Sequence, residues 1–502
     1  MSYYCFLCHP KYHPKSSPEP KLRVCKCVVK VKMKMWLIAL LLVSVTHTHA
    51  EYSSLQAILS QKGLQKVTHW LTDWVQDNLS NITPPDIKGK AFLFGYTLHS
   101  MSIQRCDLPE PIISFLEGTG VSLQVTGLSA VITGKWNSRF GFTTDSGEFE
   151  LVMFNVGFKS LLKLGSDRER LSISTVICSS DVESVQMNFS GGKSFLYKLF
   201  VKLFNRGVKQ MVQGQICTDI KAGVNGLESH LAAMPVAMMV DPNVYMNISL
   251  TDSPLVKNSG LGLNVKGEFY SFKCPTEPPF HPSHFEMPWQ KDYMVSVGAS
   301  EFCVNSAAFA YHHAGVLNIH ITDDMIPKAC PIHLNTSQFK NLIPELPKKY
   351  PDMLMELQLY TTDTPLFSVK KSVILANVST SVKAFAIKTN YVAIPLFRLD
   401  METSFIFKVY IDKQLVKGML VMKNLTVTLG ASEIGKFQTE PIQHALKSVM
   451  TSFVLPKVNA QLKDGIQLPF VKYFSLKNSV LTIEDGFLAL ATDINGPDSG
   501  NL

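Results

Sequence analysis

The proline-rich segment from Cys274 to Trp289 constrains the fold of this chain more than any other sequence feature. It contains five prolines in sixteen residues. Proline has no backbone N–H and a fixed φ, so the segment cannot form a helix or a central strand. We therefore expect a linker at 274–289 between two domains, 51–273 and 290–495, with a short tail at 496–502.

Both flanking segments combine helical patterns with runs of strand-like alternation. Apolar residues recur at helical spacing at 64–79, 194–220, 301–313 and 441–462. Apolar and polar residues alternate at 121–125, 185–189, 317–321 and 425–429, and Asp485-Gly486 is typical of a tight hairpin turn. Because the strands follow one another instead of alternating with helices, the pattern predicts an α+β fold with antiparallel sheets.

The segment Met33–Ala50 has the pattern of a secretory signal peptide. Lys34 precedes an apolar run of ten residues, Trp36–Val45, which is too short to cross a bilayer. The end of the segment resembles a cleavage site, so we expect a secreted protein that begins at Glu51. Residues 1–32 are expected to be an upstream extension that is unstructured or not translated.

Charge and cysteine content change once residues 1–50 are set aside. These residues carry seven lysines and one arginine against a single glutamate, so 51–502 keeps only +1 of the whole chain's net charge of +8. A nearly neutral chain without a basic run disfavours a nucleic-acid partner.

Four of the ten cysteines, Cys5, Cys8, Cys25 and Cys27, also lie in residues 1–50. We interpret their haem-like and zinc-like spacing as part of a segment without a fold. The other six are too sparse to build the structure, which must rest on hydrophobic cores.

Seven Asn-x-Ser/Thr sequons follow the signal peptide and together predict a glycoprotein. They are Asn78, Asn81, Asn188, Asn247, Asn335, Asn377 and Asn424. Asn424 opens an alternating stretch, which predicts that it points outward from a strand.

The sequence contains no Gly-x-Ser-x-Gly, His-Glu-x-x-His or phosphate-binding loop motif. His281-x-x-His284 lies in the proline-rich segment without a third ligand nearby, and the adjacent His312 and His313 diverge on a helix. We therefore predict no catalytic residue, no metal and no cofactor.

A series of short motifs over residues 52–495 resembles one protein family, and the ordered set is more specific than any single motif. The motifs are Ser60-Gln61-Lys62-Gly63-Leu64, Ile132-Thr133-Gly134-Lys135-Trp136, Leu263-Asn264-Val265-Lys266-Gly267-Glu268-Phe269-Tyr270, Pro278-Pro279-Phe280, Ala314-Gly315-Val316-Leu317, Asp323-Asp324-Met325-Ile326-Pro327-Lys328, Val454-Leu455-Pro456-Lys457-Val458-Asn459 and Gly465-Ile466-Gln467-Leu468-Pro469. In this respect the chain is similar to the family of bactericidal/permeability-increasing protein and lipopolysaccharide-binding protein, the BPI fold of the tubular lipid-binding superfamily.

The resemblance implies a boomerang of two tandem barrels, each a twisted antiparallel sheet wrapped around a long helix, joined by a central sheet near the linker. It implies an apolar pocket for phospholipid acyl chains in each barrel and a disulfide between Cys178 and Cys217. Cys303 lies on an apolar helical pattern and is expected in the core. The pairing of Cys106, Cys274 and Cys330 stays open.

The antibacterial members of this family carry cationic residues at the tip of the N-terminal barrel, and the matching positions are Lys88, Lys90, Lys135 and Arg139. Residues 51–245, however, hold 17 basic and 17 acidic residues. We therefore expect a secreted monomer of antibacterial innate immunity that binds phospholipid, with lipopolysaccharide or an anionic membrane surface as a weaker partner. An extracellular structural or interaction module and a lipid-modifying enzyme are the alternatives.

Overall fold

The computed structural model describes residues 52–77, 83–91, 94–140, 142–192, 201–330, 332–412, 414–467 and 475–495. The expected upstream extension, signal peptide and C-terminal tail lie outside the described residues, as do the sequons at Asn78 and Asn81. None of the helices in the described ranges is long and apolar enough to span a membrane.

The elements of the N-terminal half are, in chain order, β1 (Leu55–Ser60), α1 (Gln61–Asp77), β2 (Ile87–Ala91), β3 (Phe94–Asp107), β4 (Ile112–Leu116), β5 (Gly120–Phe140), β6 (Thr143–Asp167), β7 (Arg170–Ser190), α2 (Val201–Ala233), β8 (Ala237–Met239), β9 (Val244–Asn247), β10 (Leu255–Lys257), β11 (Gly260–Val265) and β12 (Glu268–Ser271).

The elements of the C-terminal half are β13 (Val295–Ser300), α3 (Glu301–Ala314), β14 (Asn318–Ile321), α4 (Glu345–Lys349), β15 (Leu354–Thr361), β16 (Leu366–Lys370), β17 (Val373–Ile387), β18 (Ala393–Asp412), β19 (Leu415–Ser432), α5 (Glu440–Val449), a π turn (Met450–Val454), α6 (Leu455–Asp464), β20 (Ile466–Gln467), β21 (Ser475–Glu484) and β22 (Phe487–Asn495). Single 3₁₀ turns occupy Asp323–Met325 and Thr336–Phe339.

Each half contains a large antiparallel sheet, as the sequence predicts. In the described residues the N-terminal sheet has the order β2-β3-β5-β6-β7, with β4 paired to β5. The C-terminal sheet has the order β14-β15-β17-β18-β19-β20, with β16 paired to β17. The α+β class is therefore confirmed.

The strands of the N-terminal sheet are far longer than the alternating stretches in the sequence. β5 has 21 residues and β6 has 25. Their pairing register shifts between Val125 and Leu128 and again before Ala130, and Gly127 there has a φ of 85°. Each shift is a bulge that interrupts the period of two. This interruption explains why the pattern reveals only pieces of these strands.

A third sheet joins the halves and has the order β10-β11-β1-β13-β22-β21. Strand β1 lies between β11 of its own half and β13 of the other. Residues 274–289 contain no helix or strand, yet they pack against this sheet. The side chain of Gln56 donates to the Phe285 carbonyl (2.7 Å) and accepts from the Met287 N–H (3.0 Å). Phe285 and Met287 are buried beside Ile58 and Ala489.

Helices α1 and α3 form where apolar spacing predicts them. The Ser300 hydroxyl caps α3 by accepting from the Cys303 N–H, and Gly315 ends the helix in the left-handed region, at a φ of 74°. Asp485-Gly486 connects β21 to β22 as predicted, with Gly486 at a φ of 85°.

The other two predicted helices differ from the structure. Helix α2 continues to Ala233, well past the predicted end at Ile220, while 194–200 lies outside the described residues. The helix predicted over 441–462 is divided by the π turn. Pro456 has no N–H for a carbonyl in the preceding turn, and the Leu455 N–H instead donates to the Met450 carbonyl five residues back.

Candidate functional site

In the N-terminal half, helix α2 runs antiparallel along β7, the last strand of the sheet. The Ser180 hydroxyl donates to the Gln213 carbonyl (2.6 Å), and the Arg170 side chain donates to the Met234 carbonyl (2.8 Å). The helical path from 213 to 234 is about 31 Å long, and the ten strand steps from 180 to 170 span about 33 Å. The two lengths match, so one long helix covers the open edge of the sheet.

Two further ties lie between these ends. Cys178 on β7 and Cys217 on α2 form a disulfide, with Cα atoms 5.7 Å apart; this is the pairing that the family resemblance implies. Farther along, the Glu228 carboxylate accepts from the Ile173 N–H. That N–H belongs to the free edge of β7, where it would otherwise lack a strand partner.

The faces of α2 and the sheet that lie towards each other are apolar but not uniformly packed. At one end Val208 is fully buried in a cluster around Trp136, Leu98 and Leu151. Toward the other end of the helix, burial decreases until Leu227 is 49% exposed.

Half-buried apolar side chains occupy the interval between this cluster and a second one around Phe115 and Val121. On β6 the interval runs from Val156, in the first cluster, to Leu162, in the second. We call these residues the N-terminal groove: Phe158, Leu162, Ile173, Ile216, Ile220 and Val224.

The C-terminal half repeats the arrangement with different residues. The Gln443 side chain on α5 accepts from the Val427 N–H (3.0 Å). On α6 the Asn459 side chain accepts from the Leu420 N–H (2.7 Å) and donates to the Leu420 carbonyl (3.0 Å). The sixteen helical steps from Gln443 to Asn459 cover about 24 Å, and the seven strand steps from Val427 to Leu420 cover about 23 Å. The two lengths match, so the helical segment formed by α5 and α6 also lies along the edge of the last long strand, β19.

Half-buried apolar side chains again lie under this helix. They pack against a small buried cluster of Ala376, Phe405 and Leu455. We call them the C-terminal groove: Phe367, Val378, Leu420, Met422 and Met450. Phe367 is aromatic, and Met422 and Met450 are unbranched. The two methionine side chains are flexible enough to adapt to a variable ligand.

The four cationic residues predicted at the tip share one face of the N-terminal sheet, and all are exposed. Lys90 is paired with Gly95, which is paired with Arg139, while Lys135 lies on the same strand as Arg139. Because Gly95 has no side chain, a cleft of ≈ 640 Å³ opens between β2 and β5. Two strand spacings place Lys90 about 10 Å from Arg139 in the sheet.

Acidic residues occupy the same face. Glu148 lies directly opposite Lys135 across β5 and β6. Asp145 lines the cleft that contains Lys90 and Arg139. The structure therefore brings the predicted cations together but interleaves them with acids, which lowers the positive potential over the cleft.

Members of both histidine pairs contact residues that are distant in the sequence. His281 and His284 are exposed, and the His284 ring contacts Tyr52 edge-on. His312 bonds the Thr361 hydroxyl through Nδ1 (2.7 Å). No cluster of three or more metal-ligating side chains is found in the part of the chain that the structure describes.

The remaining cysteines and sequons have distinct environments. Cys303 is buried in the core as predicted, and Cys106, Cys274 and Cys330 are also unpaired. Of the described sequons, Asn188, Asn377 and Asn424 are exposed, whereas Asn247 and Asn335 are half-buried.

Comparison with known proteins assigns both halves. Residues 63–229 match the N-terminal domain of the LBP / BPI / CETP family, and residues 238–495 match its C-terminal domain. A bactericidal permeability-increasing protein from Sebastes schlegelii is 32% identical over 443 residues, which cover 87% of this chain and 94% of the relative. The human lipopolysaccharide-binding protein is 28% identical over 447 residues, covering 88% and 93%.

A solved structure leads to the same assignment. The crystal structure of a lipopolysaccharide binding protein aligns with a TM-score of 0.56 and 27% identity, covering 89% of this chain and 100% of that one. The chain belongs to the LBP / BPI / CETP family.

Proposed function

We propose that this protein is secreted and binds lipids, with phospholipid acyl chains held in the N-terminal and C-terminal grooves. The observation that carries the proposal is that each helix is fastened to its edge strand by polar bonds, while the apolar side chains beneath it stay half-buried. Because these hydrogen bonds hold the helix against its edge strand, the helix does not depend on tight packing of the apolar side chains between helix and sheet. Relatives named for lipopolysaccharide binding support a lipid ligand.

The energetics suit a ligand with long hydrocarbon chains. Each methylene withdrawn from water contributes about 0.8 kcal/mol, so ten methylenes supply about 8 kcal/mol before ordering costs. Such binding needs no dedicated polar constellation. This agrees with the absence of a catalytic motif in the sequence, and we propose a carrier with no enzymatic step.

Lipopolysaccharide and anionic membranes are proposed as weaker partners that contact Lys88, Lys90, Lys135 and Arg139. A basic residue near an anionic surface contributes about 1 kcal/mol. The acids on the same face offset part of this attraction. We therefore expect the protein to bind lipopolysaccharide at low ionic strength. This binding should weaken strongly at physiological salt.

Native mass spectrometry of protein secreted by a eukaryotic host tests whether the protein carries lipid. We expect a monomer that begins at Glu51 and carries two co-purified phospholipids, one for each groove. Protein that is empty after gentle purification would instead support an extracellular interaction module, and turnover of a lipid ester would support an enzyme.

A matched pair of variants separates the grooves. Val224→Trp places a large ring in the N-terminal groove and should reduce the load to one lipid for each chain. Gly223→Ala, at the neighbouring position, is the control, because its added Cβ meets no atom within 4 Å. Two lipids in both variants would contradict the placement of the N-terminal site.

A further inference from the structure

The hairpin that connects β17 to β18 ends in an unusual conformation. The Tyr391 N–H donates to the Lys388 carbonyl (2.9 Å), and the Lys388 N–H donates to the Val392 carbonyl (3.0 Å). This closes a three-residue loop in which Tyr391 has a φ of 59°, in the left-handed region. Glycine or asparagine usually occupies that position, because a Cβ strains the backbone there.

The strained residue is also one of the most exposed aromatic side chains in the described chain. Tyr391 is 90% exposed and the adjacent Val392 is 48% exposed. A bulky aromatic ring therefore occupies a disfavoured backbone position without packing against anything that repays the strain.

An apolar row lies directly beneath the loop. Leu354, Ile387 and Ala393 are paired side by side across β15, β17 and β18. Leu354 is 58% exposed. With Tyr391 and Val392, these residues form what we call the apolar tip.

This row lies on the outer face of the sheet. Met355 and Ala386, the neighbouring residue pair, point to the opposite face and are 1% and 0% exposed. At this end of the sheet, apolar residues therefore occupy the outer face as well as the buried face. Lys388 is exposed within the loop itself, and Asp352, two residues before Leu354, is the acid on the adjoining connection.

This combination matches the requirements of a lipid–water interface. A tyrosine ring places its apolar body among acyl chains and its hydroxyl among headgroups, and lysine extends its amine to the phosphates. The tip offers only a few side chains, far fewer than the 20–30 residues a side that a stable protein interface typically uses. Insertion into a lipid surface requires no such area.

We propose that the apolar tip docks the C-terminal half onto a lipid surface, with Tyr391 inserted at headgroup level. The inference rests on the proposed lipid function and deepens it, because it names the surface through which the C-terminal half meets its lipid source. It concerns the end of the C-terminal sheet, not the cationic face of the N-terminal sheet.

The test is co-sedimentation of the full chain with vesicles of phosphatidylcholine and phosphatidylglycerol. Tyr391→Gly should lower the partition coefficient roughly tenfold, which corresponds to leaving about 60 Å² of ring surface in water. The same variant should keep or raise the urea midpoint, because glycine accepts the left-handed conformation. Tyr410→Ser, at an exposed tyrosine near the other end of β18, is the control and should bind like wild type.

An unchanged partition coefficient in Tyr391→Gly would overturn the proposal and leave the tip to a protein partner. A loss of binding matched by a fall in the urea midpoint would also overturn it. Native mass spectrometry of the same samples distinguishes the two proposals. If the protein carries lipid and Tyr391→Gly leaves the partition coefficient unchanged, only the docking proposal is contradicted. If wild-type protein carries no lipid, the proposed lipid function is contradicted.

Discussion

The disulfide between β7 and α2 gives the sharpest quantitative prediction. Replacing Cys178 and Cys217 together by serine removes the covalent tie and leaves the hydrogen bonds on either side of it in place. The native helix should therefore stay docked on β7. The main effect is expected in the unfolded state, which gains conformational freedom.

The magnitude follows from the sequence separation of 39 residues. A chain-entropy estimate for a loop of that length gives about 4 kcal/mol of stability lost from the N-terminal half. For a urea m-value of about 2–3 kcal/mol/M, the unfolding midpoint should fall by roughly 1.3–2 M.

The assay is urea unfolding under non-reducing conditions, followed by hydrogen exchange with peptides from each half read separately. Peptides from β5 to β7 should lose protection at lower urea, and those from β17 to β19 should change little. Cys274→Ser is the matched control, because this thiol is exposed and unpaired. A loss below about 1 kcal/mol, or an equal loss in both halves, would contradict the expected stabilisation of the N-terminal half by the disulfide.

Three further predictions concern charge, pH and glycosylation. Glu148→Gln removes an acid from the cationic face, so affinity for anionic vesicles should rise about fivefold, measured by co-sedimentation at low salt. Tyr311→Phe removes the 2.7 Å hydrogen bond that lowers the pKa of Asp241. A carboxyl whose pKa is lowered by folding stabilises the fold at pH values above its pKa in the unfolded chain, about 3.9. The difference in urea midpoint between wild type and variant should therefore persist at pH 7 and shrink below about pH 4. Peptide mapping should find a glycan at the exposed Asn424 and none at Asn335, whose side-chain amide already donates to a carboxylate.

Each of these three has a clear contrary result. Unchanged vesicle binding in Glu148→Gln would mean that this acid does not influence the cleft. A gap between wild type and Tyr311→Phe that is the same at pH 7 and pH 3 would remove Asp241 from the explanation. A fully occupied Asn335 would show that its bond to Asp352 does not hinder modification.

Much of the fold is predictable from the sequence because the apolar periodicity is strong in most elements. The proline-rich segment, helices α1 and α3 and the final hairpin all follow from local patterns. The length of β5 and β6 does not, because bulges such as the one at Gly127 break the alternation. The end of α2 is hidden for another reason: Gly223 and Gly226 lower its helix propensity, so its helical state depends on packing against the sheet.

The candidate site was only partly predictable. The cationic residues and the disulfide follow from family resemblance, but the residues that close the sheet edges do not. Gln443, Asn459 and Glu228 are ordinary polar residues on helices, and their role depends on which strand lies beside them. A polar side chain beside an apolar helical stripe is the one sequence feature that points to such a contact.

In the proposed function, acyl chains lie under the two edge-closing helices. Phospholipid with a photoactivatable diazirine in its acyl chain, loaded into the secreted protein and irradiated, is the most direct probe of this placement. We expect cross-linked peptides from α2 with β6 and β7, and from α6 with β19. Cross-links confined to the outer faces of the sheets, or no cross-links with loaded protein, would contradict it.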